Sequence, residues 1–205
     1  NLDAVLAAID AANANDPRVV DADGEKVTFE VLYARRMTAR LEALYPDASD
    51  LLKIAARGQH LRRWEIARGR FPLGRHGYNE WRKECRAHHA RLVSELMREH
   101  GYGEDAIAHV ASLIRKEQLK KERESQALEN VAAIVFLEHY FDEFLAKYAD
   151  YDDDRIIDIL GKTLCKMSPR GHAAALALAL PDRTRALVAA AIERQAEALE
   201  KLAEV

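Results

Sequence analysis

Four of the eight histidines, His60, His76, His88 and His89, fall between Arg57 and Arg91. The same stretch holds ten arginines and lysines against three glutamates. Imidazole titrates near neutrality, and a neighbouring cation keeps it neutral, which suits a metal ligand or a general base. In Gln59-His60-Leu61-Arg62-Arg63-Trp64-Glu65, helical spacing puts His60 on one face with Arg63 and Trp64, and Gln59 one turn from Arg63. The reading without chemistry is a histidine packed on Trp64 at the end of a buried helix, the commoner fate of an isolated histidine. A second group, Arg82, Cys85, Arg86 and His89, recurs at helical spacing and brings an imidazole to the same side as arginine. A third, Gln126, Glu129 and Asn130, opens the most apolar helix of the chain, where a glutamate needs a partner. His60, His89 and Glu129 together offer two imidazoles and a carboxylate, a set of the kind that binds a divalent transition metal.

Charge distribution narrows the ligand. The chain is acidic, with a net charge of −3, yet the stretch from Arg57 to Arg91 carries +7. A local cationic field in an acidic protein favours a small anion such as phosphate over a long polyanion. A solvated arginine-rich helix face is the plain alternative. Nucleic acid is a weaker partner, since no RNA-binding motif and no overall basic charge is present. A second basic cluster, Lys162, Lys166, Arg170 and His172, sits beside Ser168-Pro169, where a helix N-terminus offers free N–H groups to an oxyanion. Equally, Lys162 and Lys166 complement the C-terminus of the preceding helix. Lys166-Met167-Ser168 echoes the KMSKS loop of class I aminoacyl-tRNA synthetases, but no HIGH-type element and no parallel-sheet pattern accompany it. The sequence has no HExxH, CxxC, Walker loop, GxGxxG or GxSxG.

The elements that must position these residues are helical. Ala, Leu, Arg and Glu dominate, Gly and Pro are few, and no segment alternates with period two. Spacing predicts helices over Asp3–Asn13, from Thr28 as N-cap to near Tyr45, and from Asp47 or Ser49 through Trp64. A basic loop marked by Gly69, Pro72, Gly74 and Gly77 follows, then a helix over Tyr78–His100 closed by Gly101. Further helices are expected from Gly103-Glu104-Asp105, over Gln126–Tyr148, over Ile156–Leu164, from Ser168-Pro169, and from Asp182 to the end. The expected architecture is all-α, one helical domain over residues 1–205. The last helix carries Leu187, Ile192, Leu199 and Leu202, which suit packing inside the fold or against a second copy in a homodimer. Cys85 and Cys165 lie far apart and match no ligand spacing, and no signal peptide is visible, which predicts a reduced, cytoplasmic setting. The longest apolar run, Ala173 to Leu180, is too short to span a bilayer, so no membrane is expected.

A set of short motifs in fixed order carries a family resemblance. Asp10-Ala11-Ala12-Asn13 with Asp16-Pro17, Leu32-Tyr33 with Arg35-Arg36-Met37, Ala55-Ala56-Arg57 with Gln59-His60, Arg63-Trp64, Gly77-Tyr78 with Trp81-Arg82, and His89-Ala90 come first. Leu128-Glu129, Val135-Phe136-Leu137-Glu138 and Lys162-Thr163 with Lys166-Met167-Ser168 follow. In this order they resemble a bacterial and fungal domain-of-unknown-function family, number 4202, over nearly the whole chain.

The order of elements is also similar, more distantly, to HD-domain metal-dependent phosphohydrolases. That resemblance implies an HD-like core over residues 28–148, with helices 152–205 packed on it. It also implies a phosphorylated substrate, a nucleotide or related metabolite. The His-Asp pair of that family would fall on His60-Leu61, its closing acid on Glu129 or Asn130, and an additional histidine position on Lys116. The resemblance therefore implies one of two sites. The metal site is rebuilt from His60, His89 and Glu129, or Arg36, Arg63, Arg82 and Lys116 hold a phosphate without an ion. Gln59, Trp64, Lys162 and Lys166 complete the expected ligand-binding set. A non-catalytic ligand- or protein-binding domain on the same fold is the alternative function.

Overall fold

Strong helix formers and apolar residues at three- and four-residue spacing leave the backbone little choice. The structure, a computed structural model, is all-α apart from one short hairpin. It describes the backbone of residues 1–203 and the side chains of residues 1–197. The chain forms two compact units, Asn1–Gln118 and the residues from Leu119 onward.

The first unit starts with α1 (Leu2–Asn13) and a hairpin of β1 (Val19–Ala22) and β2 (Glu25–Thr28). The strands pair antiparallel, Val19 opposite Thr28 and Ala22 opposite Glu25. Asp23 and Gly24 both take positive φ, 55° and 85°, the geometry of a tight two-residue hairpin turn. The absence of strands expected from the sequence is corrected here. Each strand has only four residues and buries only Val27, too little to register as alternation, although Asp23-Gly24 carried the turn signal.

α2 (Phe29–Leu44) follows, with Thr28 at its N-cap position. The Thr28 hydroxyl does not cap the helix. It donates to the Asn13 carbonyl at 2.9 Å and ties the hairpin to the end of α1.

α3 (Asp50–Gly58) is capped by Ser49, whose hydroxyl accepts from the Leu52 N–H at 3.1 Å. Its buried residues Leu52, Ile54, Ala55 and Ala56 lie at the centre of the unit, against α1, α2, α4 (Gly74–Glu99) and α5 (Glu104–Arg115). The helix expected to run through Trp64 stops at Gly58, and two 3-10 turns, Arg63–Glu65 and Arg68–Arg70, lead into α4. α4 starts four residues earlier than the spacing predicted, so Gly77 lies inside its first turn.

The second unit holds α6 (Arg123–His139), α7 (Phe141–Lys147), α8 (Asp153–Leu164), α9 (Pro169–Leu176) and α10 (Asp182–Ala203). The single helix expected over 126–148 breaks at Tyr140. The break brings Phe136, Phe141 and Phe144 into mutual contact, with ring centroids 5.7 to 5.9 Å apart. α10 packs on α8 and α9, buries Leu187 and Val188, and donates from Gln195 Nε2 to the Gly161 carbonyl at 2.6 Å. Leu199 and Leu202, which supported the homodimer expectation, lie outside the described side chains. Among the described residues no helix is long and apolar enough to cross a membrane.

Gly77 supplies a test of how α4 meets the loop before it. A Cβ at this position would stand 1.9 Å from the Pro72 carbonyl oxygen, which is backbone and cannot swing away. Gly77→Ala is expected to destabilise by about 1–3 kcal/mol, the usual cost of overpacking. Gly69→Ala, with nothing within 4 Å of its added carbon, should stay near wild type in the same urea melts.

Candidate functional site

The end of α3 builds the site. After Gly58 the chain turns, with the Leu61 N–H donating to the Gly58 carbonyl and the Arg63 N–H to the His60 carbonyl, each at 3.0 Å. Arg62 takes a left-handed conformation, φ 53°, and its N–H donates to Asn13 Oδ1 at 2.9 Å. His60 therefore sits in a turn and not on a helical face with Arg63 and Trp64. Its ring stacks on Tyr33 of α2, centroids 3.8 Å apart and planes 8° from parallel. Tyr33, not Trp64, is its aromatic platform, and Trp64 is half-buried in the 3-10 turn. Gln59 donates from Nε2 to the Tyr33 hydroxyl at 2.8 Å, which secures the platform.

His89 comes from α4 and is buried, its ring centroid 5.9 Å from that of His60. Its Nδ1 lies 2.8 Å from the Leu61 carbonyl oxygen. A carbonyl only accepts, so Nδ1 carries the hydrogen and Nε2 keeps a lone pair. That Nε2 is buried and has no hydrogen-bond partner. Burial first, then the neighbouring His60 and Arg63, hold His89 well below the usual histidine pKa, against the opposing bond to Leu61. His60 is held well below it too, by burial first and then by the charges of Arg63, Lys116, Arg82 and Arg18. The site thus contains two neutral imidazoles in a cationic surround.

The cations differ in how they are held. Arg63 lies over the Trp81 ring at 4.7 Å, and Trp81 is fixed by donating to the Ile66 carbonyl at 2.8 Å. Arg82 lies over Tyr78 at 5.8 Å. Neither guanidinium is paired with a carboxylate among the described residues. Lys116 ends α5 in a left-handed conformation, φ 60°, and Arg36 is half-buried on α2. His88 has a different task. It accepts from Arg91 on Nδ1 at 3.3 Å and donates from Nε2 to Glu65 at 2.9 Å, while Glu65 also pairs with Arg62. This clamp pins the 3-10 turn to α4. Cys85 is buried on the inner face of α4, and burial pushes its thiol upward, away from a reactive thiolate.

Glu129, Lys162 and Lys166 belong to the second unit. Glu129 is buried on α6, and Lys162 is exposed in a groove between α8 and α10, beside Asp158, Cys165 and Arg194. The Lys166 carbonyl accepts from Gln126 Nε2 at 2.9 Å. At the oxyanion site expected at Ser168-Pro169, two of the N–H groups are engaged by side chains. Ser168 N–H donates to Asn130 Oδ1 at 3.0 Å, and Gly171 N–H to the Ser168 hydroxyl at 3.4 Å. His172 lies 2.7 Å from the Leu164 carbonyl and completes the end of α8. Among the described residues, no third side chain of metal-binding type joins His60 and His89 at coordinating distance.

A family model described as domain of unknown function (DUF4202) matches residues 3–188. The chain belongs to the DUF4202 family. No curated protein and no solved structure matches it.

The residues that sequence reasoning missed lie behind His60. Glu30 is fully buried on α2, and its Oε2 stands 3.5 Å from His60 Nδ1. Arg18 donates to Glu30 Oε1 at 2.8 Å and to both oxygens of buried Asp16 at 3.1 Å. The Glu30 N–H donates to Asp16 Oδ2 at 3.1 Å, and Arg18 lies over the Phe29 ring at 4.4 Å. The available signal was Glu30 itself. It falls in line with Tyr33, Ala34, Met37 and Leu41, the buried stripe of α2, where a carboxylate is out of place.

The neutral histidines give stability a pH dependence. Both have folded pKa values depressed below 6.5, so the unfolded chain binds more protons once the pH falls through 6.5. Stability should be full above that value and decline below it, by up to about 1.4 kcal/mol per pH unit for each histidine. Glu30, raised above its usual 4.5 by burial against the lowering bond from Arg18, acts oppositely at lower pH. Urea melts at pH 7.5 and 5.5 should therefore show a loss in wild type that His60→Gln/His89→Gln reduces.

Proposed function

We propose that the first unit binds a phosphorylated small molecule, a nucleotide or related metabolite, at the His60–His89 pair, with Arg63 and Arg82 on the phosphate. The observation that carries this reading is the state of those two arginines. Each lies over an aromatic ring, neither is paired with a carboxylate among the described residues, and both help to keep His60 neutral. Guanidiniums not engaged by a carboxylate suit phosphate oxygens, which they bind through paired N–H groups. Lys116 and Arg36 add charge, and Gln59 and Trp64 border the turn that carries His60.

Hydrolysis is the catalytic extension of this reading. A neutral imidazole lone pair accepts a proton from an attacking water, and His60 or His89 would serve as that base. A divalent transition metal fits the donor chemistry in part. His89 is held through its other nitrogen by a carbonyl, the arrangement that orients metal-binding histidines, and its buried Nε2 has no hydrogen-bond partner among the described residues. Such an ion would polarise a phosphoryl oxygen and acidify a bound water. The order of α2 to α5 around His60 supports an HD-like core for this reading. The second reading, a binding domain without turnover, is favoured by Leu61 following His60 where an acid would complete an HD-type metal site, and by the absence, among the described residues, of a third metal-binding side chain beside His60 and His89.

Calorimetric titration with pyrophosphate and ADP, at low and moderate salt, tests the proposal. Arg63→Ala and Arg82→Ala should each weaken binding by about 10- to 100-fold, as for lost charge-assisted hydrogen bonds, with little change in melting temperature. Phosphate release with and without added Mn²⁺ or Zn²⁺, compared with His60→Ala, separates hydrolysis from binding alone. No saturable binding of either compound by the wild-type protein would sink the reading.

A further inference from the structure

We infer that Glu30 is a positioning residue of this site, fixing His60 in the tautomer that carries hydrogen on Nδ1, so that Nε2 presents its lone pair. The inference uses the reading above only for what that lone pair does.

Two orphaned atoms carry the argument. Glu30 Oε2 and His60 Nδ1 are both buried, both lack any other hydrogen-bond partner, and stand 3.5 Å apart. They have only each other to answer. A carboxylate accepts and does not donate, so the hydrogen belongs on Nδ1. Turning the ring over would set a carbon against Glu30 and leave Oε2 with no donor, and buried polar groups are rarely left so. Tyr33, stacked at 3.8 Å and 8°, sets the plane of the ring, and Glu30 sets which edge faces inward.

Glu30 is itself fixed at two points, by groups that also hold each other. Arg18 donates to Oε1 at 2.8 Å, the Glu30 N–H donates to Asp16 at 3.1 Å, and Asp16 holds Arg18 by both oxygens. The carboxylate oxygen left over is the one that faces His60. His89 is set in the same tautomer by the Leu61 carbonyl. Two neighbouring imidazoles are thereby oriented alike from behind, one by a backbone carbonyl and one by a buried acid. Matching second-sphere contacts of this kind fix ring orientation and raise the basicity of the opposite ring nitrogen.

Substitution at Glu30 gives an outcome that a purely structural ion pair would not. In Glu30→Gln the side-chain oxygen keeps Arg18, so the amide NH₂ faces His60 Nδ1. A donor opposite Nδ1 forces that nitrogen to accept, and the hydrogen moves to Nε2. Long-range ¹H–¹⁵N spectra of histidine-labelled protein at pH 7.5 read the tautomer of each ring directly, with the His60 signals identified by their loss in His60→Gln. In wild type His60 should carry hydrogen on Nδ1. In Glu30→Gln its two nitrogen signals should exchange type, while those of His89, set by Leu61, stay as they were. Hydrogen on Nε2 of His60 in the wild-type protein overturns the inference, whether or not the variant folds. So does a folded Glu30→Gln with an unchanged His60 pattern. The spectra need no ligand, so their outcome is separate from the pyrophosphate titration that tests the binding reading.

Discussion

Glu30 is a carboxylate with no access to water, and a charge so placed costs several kcal/mol unless another charge and several donors meet it. Much of the local architecture of the first unit follows from meeting that demand. Arg18 must reach it, and Arg18 is delivered by the segment that leaves α1, where Asp16 engages its backbone N–H and its guanidinium together. The hairpin then returns the chain to Phe29, on whose ring the same guanidinium rests. Thr28 closes the loop by bonding the last carbonyl of α1. Removing Arg18 would strand two buried carboxylates at once, so the cluster stands or falls as a unit. Its one oxygen without a donor of its own is turned toward His60.

The helical skeleton was legible because it is written in spacing that burial enforces. Ser49 as a cap, Gly101 as a stop with φ 82°, and the Ser168-Pro169 start all act through local backbone chemistry, and each appears where the residues required. His60 and His89 were legible as a pair because basic residues and histidines crowd one stretch. How they meet was not legible. Extending α3 through Trp64 looked sound from Arg62-Arg63-Trp64, but a left-handed Arg62, secured by Asn13 from α1, turns the chain away. That contact spans 49 positions, and no local rule encodes it. Glu30 was hidden for the same reason, since its partners Arg18 and His60 lie 12 and 30 positions away. Asn130 also has partners distant in sequence. It is one of the two positions where the HD resemblance would put the closing acid, and its amide donates to the Ser168 hydroxyl at 2.8 Å and accepts from the Ser168 N–H. It holds the start of α9, a task that needs both a donor and an acceptor on one side chain.

The surround of His60 has a direction that bears on its chemistry. Arg63, Lys116, Arg82 and Arg18 all oppose a proton on His60, and by the same sign they oppose a bare dication. They attract a phosphate. Once a phosphate dianion sits among them, the field at His60 weakens or reverses, and both objections lift together. The imidazole would then become a better proton acceptor, and the cationic side chains would no longer oppose a metal ion there. On the reading proposed above, ligand comes first, and basicity or metal affinity follows from it. An enzyme assembled this way withholds its base until the substrate supplies the missing charge, and a site lacking a third protein ligand is then no contradiction. On that reading, the phosphate itself would replace, in charge, the carboxylate that an HD-type metal site requires from the protein.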